Sequence, residues 1–375
     1  MNKKKVVFFL YANTPNPALI ERAMVAEEAG LFKSFVVYWG RKNSDISIPF
    51  SKLLPDDRFL EIKLGDPRGN FFRRIYLSLK FSVALRAKLN DYSPNVIYAV
   101  NPDMLGLCWV ANLLRAPIPV VYDFQDQKGE YLNIIYRKLY RLSASNVTKV
   151  FIRSRGFLHQ IKTNKLFNKK VPVSYFAEAP MNWTLTKKNF PKTGQKLVLG
   201  YFGNIRGKLQ IYSLLTAVGK LNSEGRKIEV KFAGVGSEAA WIGDLSKKLD
   251  YVHYLGPFDY FKEYSDLFIS ADLVFAVYPT DLANNKFHEA RRFHESIATG
   301  VPLIVSSGTY MAKRVATLNV GWIVKEDSSD EMYQILEQIL NDPKIIRGKR
   351  LTKALRKEHL IEHYADEFID TLNEA

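Results

Sequence analysis

The segment RRFHESIATGVPLIVS, residues 291–306, combines two arginines and a glutamate in one helical pattern. Arg291 and Arg292 begin the pattern, Glu295 follows one turn later, and a Gly-x-Pro sequence ends it before an apolar strand pattern. Two guanidinium groups can bind a diphosphate through forked, charge-assisted hydrogen bonds, and a carboxylate one turn away can accept hydrogen bonds from ribose hydroxyls. The alternative is an i,i+3 or i,i+4 ion pair on the helix surface, which is worth only a few tenths of a kcal/mol.

A glycine turn in LGYFGNIRGK, residues 199–208, provides a second set of candidate ligand-binding groups. Gly203 and Gly207 allow a tight backbone turn after a strand pattern, and the next segment is helical in pattern. The N-terminus of that helix, together with Arg206 and Lys208, would suit a dianionic phosphate. A plain strand-to-helix turn explains the same residues, because an isolated glycine turn is weak evidence of a ligand site.

The segment IEVKFAGVGSEAAWIGDL repeats this arrangement with Gly234 and Gly236 after a strand pattern. It does not complete a dinucleotide-binding fingerprint, since the third glycine falls at position 243 rather than at the start of the helix. The two glycines permit either a close approach of the backbone to a base or ribose, or close packing of the backbone alone.

The elements that would position these residues form two series of short apolar runs separated by helix-sized segments. Such runs indicate parallel strands covered on both faces, and two series predict an α/β protein with two doubly wound, Rossmann-like domains. The runs cover residues 6–11, 34–39, 95–100, 119–124, 149–154 and 171–176, then 196–203, 228–234, 252–256, 273–279, 302–307 and 321–325.

The polar stretch 178–196, which contains two prolines and a glycine, is the expected seam between these domains. We therefore predict an N-terminal domain over 1–180 and a C-terminal domain over 192–357, with a terminal helix over about 358–375 that packs back onto the first domain. The functional site would lie in the cleft between the domains, at the carboxyl ends of the strands.

The net charge, the cysteine content and the lengths of the apolar runs limit the classes of protein and of binding partner that fit this sequence. The chain has 375 residues and a formal net charge of +16, which favours an anionic partner such as nucleic acid, anionic lipid or a phosphorylated small molecule. A single cysteine, Cys108, excludes an internal disulfide and a cysteine-rich zinc site, and fits a cytoplasmic protein. The opening MNKKKVVFFLY predicts a buried strand rather than a signal peptide, and no run is long enough for a membrane-spanning helix.

The segment 68–90 mixes basic residues with large apolar and aromatic ones. This mixture is typical of a helix that lies on an anionic membrane surface, here the inner face of the cell membrane. The alternative is an ordinary helix of an α/β layer whose basic ends extend into solvent. The basic residues concerned are Arg68, Arg73, Arg74, Lys80, Arg86 and Lys88.

Taken together, these segments resemble a GT-B-fold glycosyltransferase of the retaining family 4 type, in the branch that builds bacterial capsules, exopolysaccharide and lipopolysaccharide. The resemblance covers nearly the whole chain in order, and its most specific motif is the segment 291–306. That motif is similar to the family signature Asn-Lys-x-x-Glu-x-x-x-x-Gly-x-Pro, with Arg291 and Arg292 at the Asn and Lys positions. The other matching segments are TPNPALIERAMVAEEAGL, VVYDFQD, VFIRS, LGYFGNIRG, FAGVGS, HYLGP and ADLVFAVYP.

The resemblance implies a nucleotide-diphosphate sugar as the donor and assigns roles to particular residues. The catalytic residues would be Arg206 and Arg292, which hold the diphosphate, and Glu295, which accepts hydrogen bonds from the ribose. The expected donor-binding residues are Gly203, Asn204, Lys208, Gly234, Gly236, Asn285, Lys286 and Arg291. The chain departs from the family at Phe287, where similar enzymes often carry a glutamate that contacts the sugar.

Similar enzymes transfer the sugar with retention of configuration, and fixed cations can stabilise the departing diphosphate without a metal or a cofactor. No Asp-x-Asp metal motif is visible in the sequence. Asp123 and Asp126 of DFQD are expected to face the acceptor, or alternatively to cap the following helix.

We therefore predict a glycosyltransferase that moves a sugar from a nucleotide sugar to a lipid-linked or growing glycan acceptor in bacterial surface polysaccharide synthesis. One alternative is a nucleotide-sugar epimerase of the same architecture. A second is a basic nucleic-acid-binding protein, which is disfavoured because the basic residues are spread over both domains and no zinc-finger, RNA-recognition or basic-zipper signature occurs.

Overall fold

The chain forms two compact units in the computed structural model. The first unit contains Met1–Ala177 and Tyr364–Ala375, and the second contains Glu178–His363. The structure describes residues 3–40, 53–67, 69–113, 115–126, 134–168, 170–181 and 195–375. Most of the predicted seam over 178–196, as well as Arg68, lies outside the described residues.

The first unit is built on a seven-stranded parallel sheet with the strand order β3-β2-β1-β4-β5-β6-β7. Strands β1 and β4 are neighbours, so the direction in which strands are added reverses between them. The strands are β1 Lys5–Tyr11, β2 Phe32–Gly40, β3 Phe59–Lys63, β4 Val96–Val100, β5 Val120–Phe124, β6 Val147–Ile152 and β7 Val173–Tyr175. The helices are α1 Pro17–Glu28, α2 Phe71–Tyr92, α3 Asn101–Ala111, α4 Ile134–Ser143 and α5 Phe157–Asn164, with a 3-10 turn at Asp56–Arg58.

The second unit has a six-stranded parallel sheet with the order β10-β9-β8-β11-β12-β13, which reverses between β8 and β11. Its strands are β8 Leu197–Phe202, β9 Ile228–Ala233, β10 Val252–Tyr254, β11 Leu273–Ala276, β12 Leu303–Ser306 and β13 Gly321–Val324. Its helices are α6 Lys208–Ser223, α7 Ala239–Leu245, α8 Tyr260–Ile269, α9 Ala283–Phe287, α10 Arg291–Thr299, α11 Tyr310–Leu318, α12 Ser329–Asn341, α13 Lys344–Arg347 and α14 Lys353–Glu358.

Two doubly wound parallel sheets confirm the predicted fold class. All six strand patterns of the second half of the chain correspond to strands β8 to β13. In the first half the sequence analysis missed β3, whose sequence FLEIK alternates apolar and charged residues. This strand pairs with β2 alone at the edge of the sheet, so its residues need less burial than a central strand, and no continuous apolar run marks it.

Helix α2 has one buried face and one exposed face. Leu77, Phe81 and Leu85 are buried, as expected of a helix in an α/β layer, whereas Phe71 and Phe72 in its first turn are largely exposed. Asn70 caps its N-terminus by accepting a 2.8 Å hydrogen bond from the backbone N–H of Phe72. Within the part of the chain that the structure describes, no helix is long and apolar enough to cross a membrane.

The last helix, α15 Ala365–Glu374, belongs to the first unit although it follows the second along the chain. Phe368 anchors it, because its ring is fully buried and lies 5.0 Å from that of Phe176 and 5.6 Å from that of Tyr98, between ring centroids. Lys149 and Glu367 add an ion pair with an N–O distance of 2.9 Å. The first unit is therefore completed by residues from the C-terminus.

We expect Phe368→Ala to lower the free energy of unfolding by about 3–5 kcal/mol, since it removes a buried aromatic side chain and leaves a cavity. Chemical denaturation monitored by circular dichroism would measure this change. Phe72→Ala is the matched control, because Phe72 is 77% exposed and Phe368 is 0% exposed. Equal effects of the two substitutions would contradict the anchoring role of Phe368.

Candidate functional site

Arg292 lies at the carboxyl end of the sheet in the second unit, where the strand order reverses. Its Nε donates a 2.9 Å hydrogen bond to the carbonyl oxygen of Phe202 at the end of β8, and its Nη1 donates a 3.2 Å bond to that of Phe275 in β11. The guanidinium therefore joins the two central strands at the position where open α/β sheets bind ligands. These two bonds use only part of its donor set, so the group can still donate to an anion.

Aromatic rings surround the Arg292 guanidinium and keep it positively charged. Its central carbon lies 4.0 Å from the ring centroid of Tyr201 and 5.6 Å from that of Tyr278. Burial by itself lowers the pKa of Arg292, but Tyr278, Tyr201 and Glu295 outweigh this effect and raise the pKa above its usual value. The side chain is therefore a fixed cation, buried and held by both backbone and aromatic contacts.

Tyr278 lies close to two arginines. The Arg206 guanidinium is 5.9 Å from the Tyr278 ring centroid, on a turn whose backbone is held by Tyr201. The Tyr201 hydroxyl donates to the carbonyl oxygen of Arg206 at 2.9 Å and accepts from the Arg206 backbone N–H at 3.2 Å. Burial, and then Tyr201 and Glu295, raise the pKa of Tyr278, although both arginines act to lower it. The Tyr278 phenol is therefore neutral, and its ring contacts both guanidinium groups without cancelling their charge.

The N-terminus of helix α6 adds a further positive element. Gly207 precedes the helix in a left-handed conformation, with φ of 85°, and no side chain caps the first turn. Arg206 and Lys208 flank this position, and both are exposed. An open helix N-terminus beside two exposed cations and the buried Arg292 has the composition of a site for an anionic group.

The second glycine turn packs directly on the first. The backbone N–H of Gly203 donates to the carbonyl oxygen of Ala233 at 2.9 Å, and that of Ile205 donates to Val235 at 2.7 Å. A Cβ atom on Gly234 would lie 1.9 Å from the Gly203 carbonyl oxygen, and one on Gly236 would lie 2.2 Å from that of Ile205. Packing alone therefore requires both glycines, and their role in donor binding stays a prediction.

The two arginines at the start of α10 point to different neighbours. Arg291 donates from Nε to Glu295 at 3.0 Å and to the Tyr260 hydroxyl at 3.1 Å, with its guanidinium 4.6 Å from the Tyr260 ring centroid. The i,i+4 ion pair considered from the sequence is present, but it is largely buried rather than on the surface. Arg292 contacts the strand ends, while Arg291 holds the Glu295 carboxylate.

Two further predicted donor-binding residues, Asn285 and Lys286, lie in the short helix α9 after β11. Asn285 is buried and donates a 2.8 Å hydrogen bond to the carbonyl oxygen of Pro279, so it stabilises the loop, whereas Lys286 is exposed. Asn204 is exposed on the first glycine turn. Near Phe287, the fully buried Glu289 forms an ion pair with Arg314 at 2.9 Å, a structural contact that the sequence analysis missed.

Tyr201, Tyr278 and Tyr260 were also missed as contributors to the site. Tyr201 and Tyr278 stand within or at the end of apolar strand patterns, which mark them as core residues rather than as partners of cations. The position of Tyr278 two residues after the end of β11 was the available signal, since ligand-binding residues gather at the carboxyl ends of parallel strands.

The structure places Asp123 and Asp126 in the first unit in different surroundings. Asp123 lies in β5 with no exposed surface, where it accepts a 2.8 Å hydrogen bond from the Tyr98 hydroxyl and forms a 3.5 Å ion pair with Arg22. Asp126 is partly exposed beyond the end of β5 and pairs with Arg153 at 2.8 Å. The residues between Asp126 and the next helix, α4, lie outside the described part of the chain, so the helix-capping alternative stays a prediction, as does an acceptor-binding role for both residues.

Metal ligands do not gather among the described residues, where no group of three or more His, Cys, Asp or Glu side chains has a geometry that could hold a metal ion. The proposed independence from metals and cofactors stays a prediction.

We expect Gly234→Ala to destabilise the site more than a glycine substitution without a clash. Gly225→Ala is the matched control, because Gly225 also has a positive φ but nothing lies within 4 Å of the position that a Cβ atom would take there. Backbone strain costs about 1–2 kcal/mol in either variant, and Gly234→Ala adds the overlap with the Gly203 carbonyl oxygen. Denaturant unfolding should show a larger loss in the free energy of unfolding for Gly234→Ala than for Gly225→Ala. Equal losses would mean that the two glycine turns can move apart without loss of stability.

Comparisons with known proteins bear on the second unit and on the fold. Residues 183–358 match the model of the family described as "Glycosyl transferases group 1". No curated protein sequence matches the chain.

Among solved structures, the sucrose-phosphate synthase from Thermosynechococcus elongatus superposes with a TM-score of 0.73 at 14% identity, over 99% of each chain. The Anabaena protein HepE, in complex with UDP and glucose, gives 0.67 at 14% over all of both chains. A putative UDP-N-acetylglucosamine 2-epimerase from Listeria monocytogenes gives 0.59 at 13% over 94% of each chain. At these identities the similarity shows the fold, which is that of GT-B glycosyltransferases.

Proposed function

We propose that this chain, whose residues 183–358 match the model of the group 1 glycosyl transferases, transfers a sugar from a nucleoside-diphosphate sugar to a lipid-linked or growing glycan acceptor. We further propose retention of configuration, as in family 4 enzymes, and a role in bacterial surface polysaccharide synthesis. The observation that carries the proposal is the cluster of Arg206, Arg292 and the open N-terminus of α6 at the carboxyl end of the second sheet. HepE, with which the chain shares its fold, was solved with UDP.

The charge of this cluster suits the chemistry of the donor. When the bond between the sugar C1 and the diphosphate oxygen breaks, negative charge grows on the phosphates, and fixed cations stabilise it. Arg292 supplies a cation that needs no rearrangement, because backbone carbonyls and two rings already hold it. The acceptor oxygen forms the new bond to C1, and its proton passes to the departing phosphate.

Glu295 is the proposed acceptor of hydrogen bonds from the ribose. Its carboxylate is held by Arg291, so a ribose would meet it in a set position. The side chain is nearly buried, and a buried carboxylate that already has a partner loses little conformational freedom when it binds a hydroxyl. Arg291 is therefore a positioning residue for Glu295 in this proposal.

Thermal stabilisation by UDP, GDP, ADP and CMP tests the donor site, because a ligand at 100 times its dissociation constant adds about 2.7 kcal/mol to the folded state. We expect one diphosphate to raise the melting temperature. Arg206→Ala should reduce that shift, since it removes an exposed cation beside the helix N-terminus, while Lys247→Ala in the same unit should not. Lys247 is a suitable control because it is exposed and pairs with the equally exposed Asp244 three residues earlier.

Arg292→Lys and Glu295→Gln extend this test to the buried groups. Both keep a side chain of similar size, but the first removes the forked hydrogen-bond donor and the second removes the negative charge. A nucleotide shift that survives in all three site variants would contradict the proposed donor site. Incubation of the protein with a nucleotide sugar and no acceptor distinguishes glycosyl transfer from epimerisation. Formation of an epimer of the nucleotide sugar would favour an epimerase.

We also propose that the enzyme works at the inner face of the cell membrane, with helix α2 on the anionic surface. Arg73 and Arg74 lie in its first turn beside the exposed rings of Phe71 and Phe72. Basic residues near such a surface each contribute about 1 kcal/mol of binding, and exposed aromatic residues enter the interface.

Arg73→Glu with Arg74→Glu should therefore weaken binding to phosphatidylglycerol vesicles by at least roughly 30-fold, which corresponds to about 2 kcal/mol. Co-sedimentation would measure the change. Lys3→Glu with Lys4→Glu is the control, since it reverses the same charge at two adjacent exposed residues of the same unit. If the two double variants bind vesicles equally well, attraction depends on net charge and not on α2.

A further inference from the structure

An apolar groove runs between helices α2, α3 and α4 of the first unit. It consists of two adjoining cavities of about 680 and 640 Å³, each within the usual size of a small-molecule pocket. Because the cavities have lining residues in common, a single elongated ligand can occupy both. The shared residues are Arg74, Ser78, Leu107, Val110, Tyr136 and Leu139.

The inner end of the groove reaches the carboxyl end of the first sheet. Ala12, which lines it, directly follows β1, and Pro102 and Asp103 stand at the start of α3 directly after β4. Strands β1 and β4 are the neighbours between which the strand order reverses. Ligands of open α/β sheets bind outside the strands at this point, so the inner end is where the reacting group of an acceptor belongs.

The outer end of the groove opens on an exposed apolar surface. Phe71 and Leu79 from α2 and Ile135 and Leu139 from α4 line the second cavity, and each is more than half exposed. Contiguous apolar surface of this kind marks a binding site on a protein surface. The groove thus begins at the edge of the sheet and ends on an exposed surface of apolar side chains.

Among the described residues that line the two cavities, the charged ones are Arg74, which lines both, and Asp103, which lines the inner cavity alone, so Arg74 is the group that would bind an anion. Helix α2 carries five basic residues and one acidic residue, and α4 carries three basic residues and no acidic one. Arg74 lines both cavities, so its guanidinium lies along the path between the inner and outer ends. A phosphate on an apolar chain would meet this cation while its chain follows the apolar side chains.

We propose that this groove binds the hydrocarbon tail of a phosphate-bearing lipid acceptor, with Arg74 at the phosphate and the tail between α2 and α4. The inference rests on the proposed function and deepens it, because it names the class of acceptor as a lipid phosphate. The reacting hydroxyl lies on the polar side of the phosphate, toward the inner end of the groove.

Leu139 and Leu142 provide a matched pair of variants for testing the groove. Both lie on α4, with exposures of 55% and 54%, but only Leu139 lines the cavities. Binding of monododecyl phosphate below its micellar concentration would be measured by titration calorimetry. We expect Leu139→Asn to weaken binding about tenfold, because the tail loses an apolar contact, and Leu142→Asn to leave it unchanged.

Arg74→Gln should weaken binding of monododecyl phosphate more than binding of a dodecyl glycoside, which has the same tail without the phosphate. Equal losses in Leu139→Asn and Leu142→Asn would overturn the proposal, since they would indicate adsorption to the whole helix surface. Equal affinity of the wild-type protein for the phosphate and the glycoside would also overturn it.

The thermal shift with nucleoside diphosphates, measured on the same variants, separates this inference from the proposed function. We expect Leu139→Asn and Arg74→Gln to keep the wild-type shift, because the donor groups lie in the second unit. If the wild-type protein does not bind monododecyl phosphate but still shows the nucleotide shift, only the proposal of a lipid-phosphate groove is overturned. Binding of the alkyl phosphate without any nucleotide shift would support the groove and count against the proposed transfer.

Discussion

The buried guanidinium of Arg292 is the interaction on which the rest of the candidate site depends. A buried charge is costly unless hydrogen bonds and nearby groups compensate it. Here the carbonyl oxygens of Phe202 and Phe275 accept hydrogen bonds, and Tyr201 and Tyr278 present their ring faces. Because these partners come from both sides of the reversal in strand order, one side chain fixes the position of a cation at the centre of the sheet edge.

The glycine turns follow from the same constraint. Gly203 directly succeeds Phe202, and a Cβ atom there would lie 3.5 Å from Nη2 of Arg292, so the turn passes close to the cation. Gly234 and Gly236 in turn allow the neighbouring loop to lie against the first one without overlap. The first glycine turn therefore passes next to Arg292, and the second packs on the first. The N-terminus of α6 and the Arg206 side chain remain at the surface, where an anion can reach them.

The first unit contains a comparable buried pair but uses it differently. Arg22 and Asp123 neutralise one another inside the fold, with Tyr98 and Gln125 donating to the carboxylate at 2.8 and 2.9 Å. Because the two charges cancel, the pair offers no net charge to a ligand. It instead joins α1, which carries Arg22, to the sheet, which carries Asp123. The functional potential of the first unit lies instead in the groove between α2, α3 and α4, where apolar and basic side chains meet. The two units thus provide different surroundings, which we propose suit a diphosphate in the second unit and a lipid phosphate in the first.

The sequence by itself determined the two doubly wound sheets and the glycine-bearing strand ends, because burial on both faces leaves continuous apolar runs and a tight turn needs glycine. It also singled out Arg206, Arg292 and Glu295, whose residue types suit a nucleotide. Strand β3 was missed because an edge strand carries no such run. Only the tertiary structure decided that Arg291 and Arg292 diverge, that the ring of Tyr278 contacts both Arg206 and Arg292, and that Asp123 is buried. These outcomes depend on contacts between residues up to about 100 positions apart, which local periodicity does not encode.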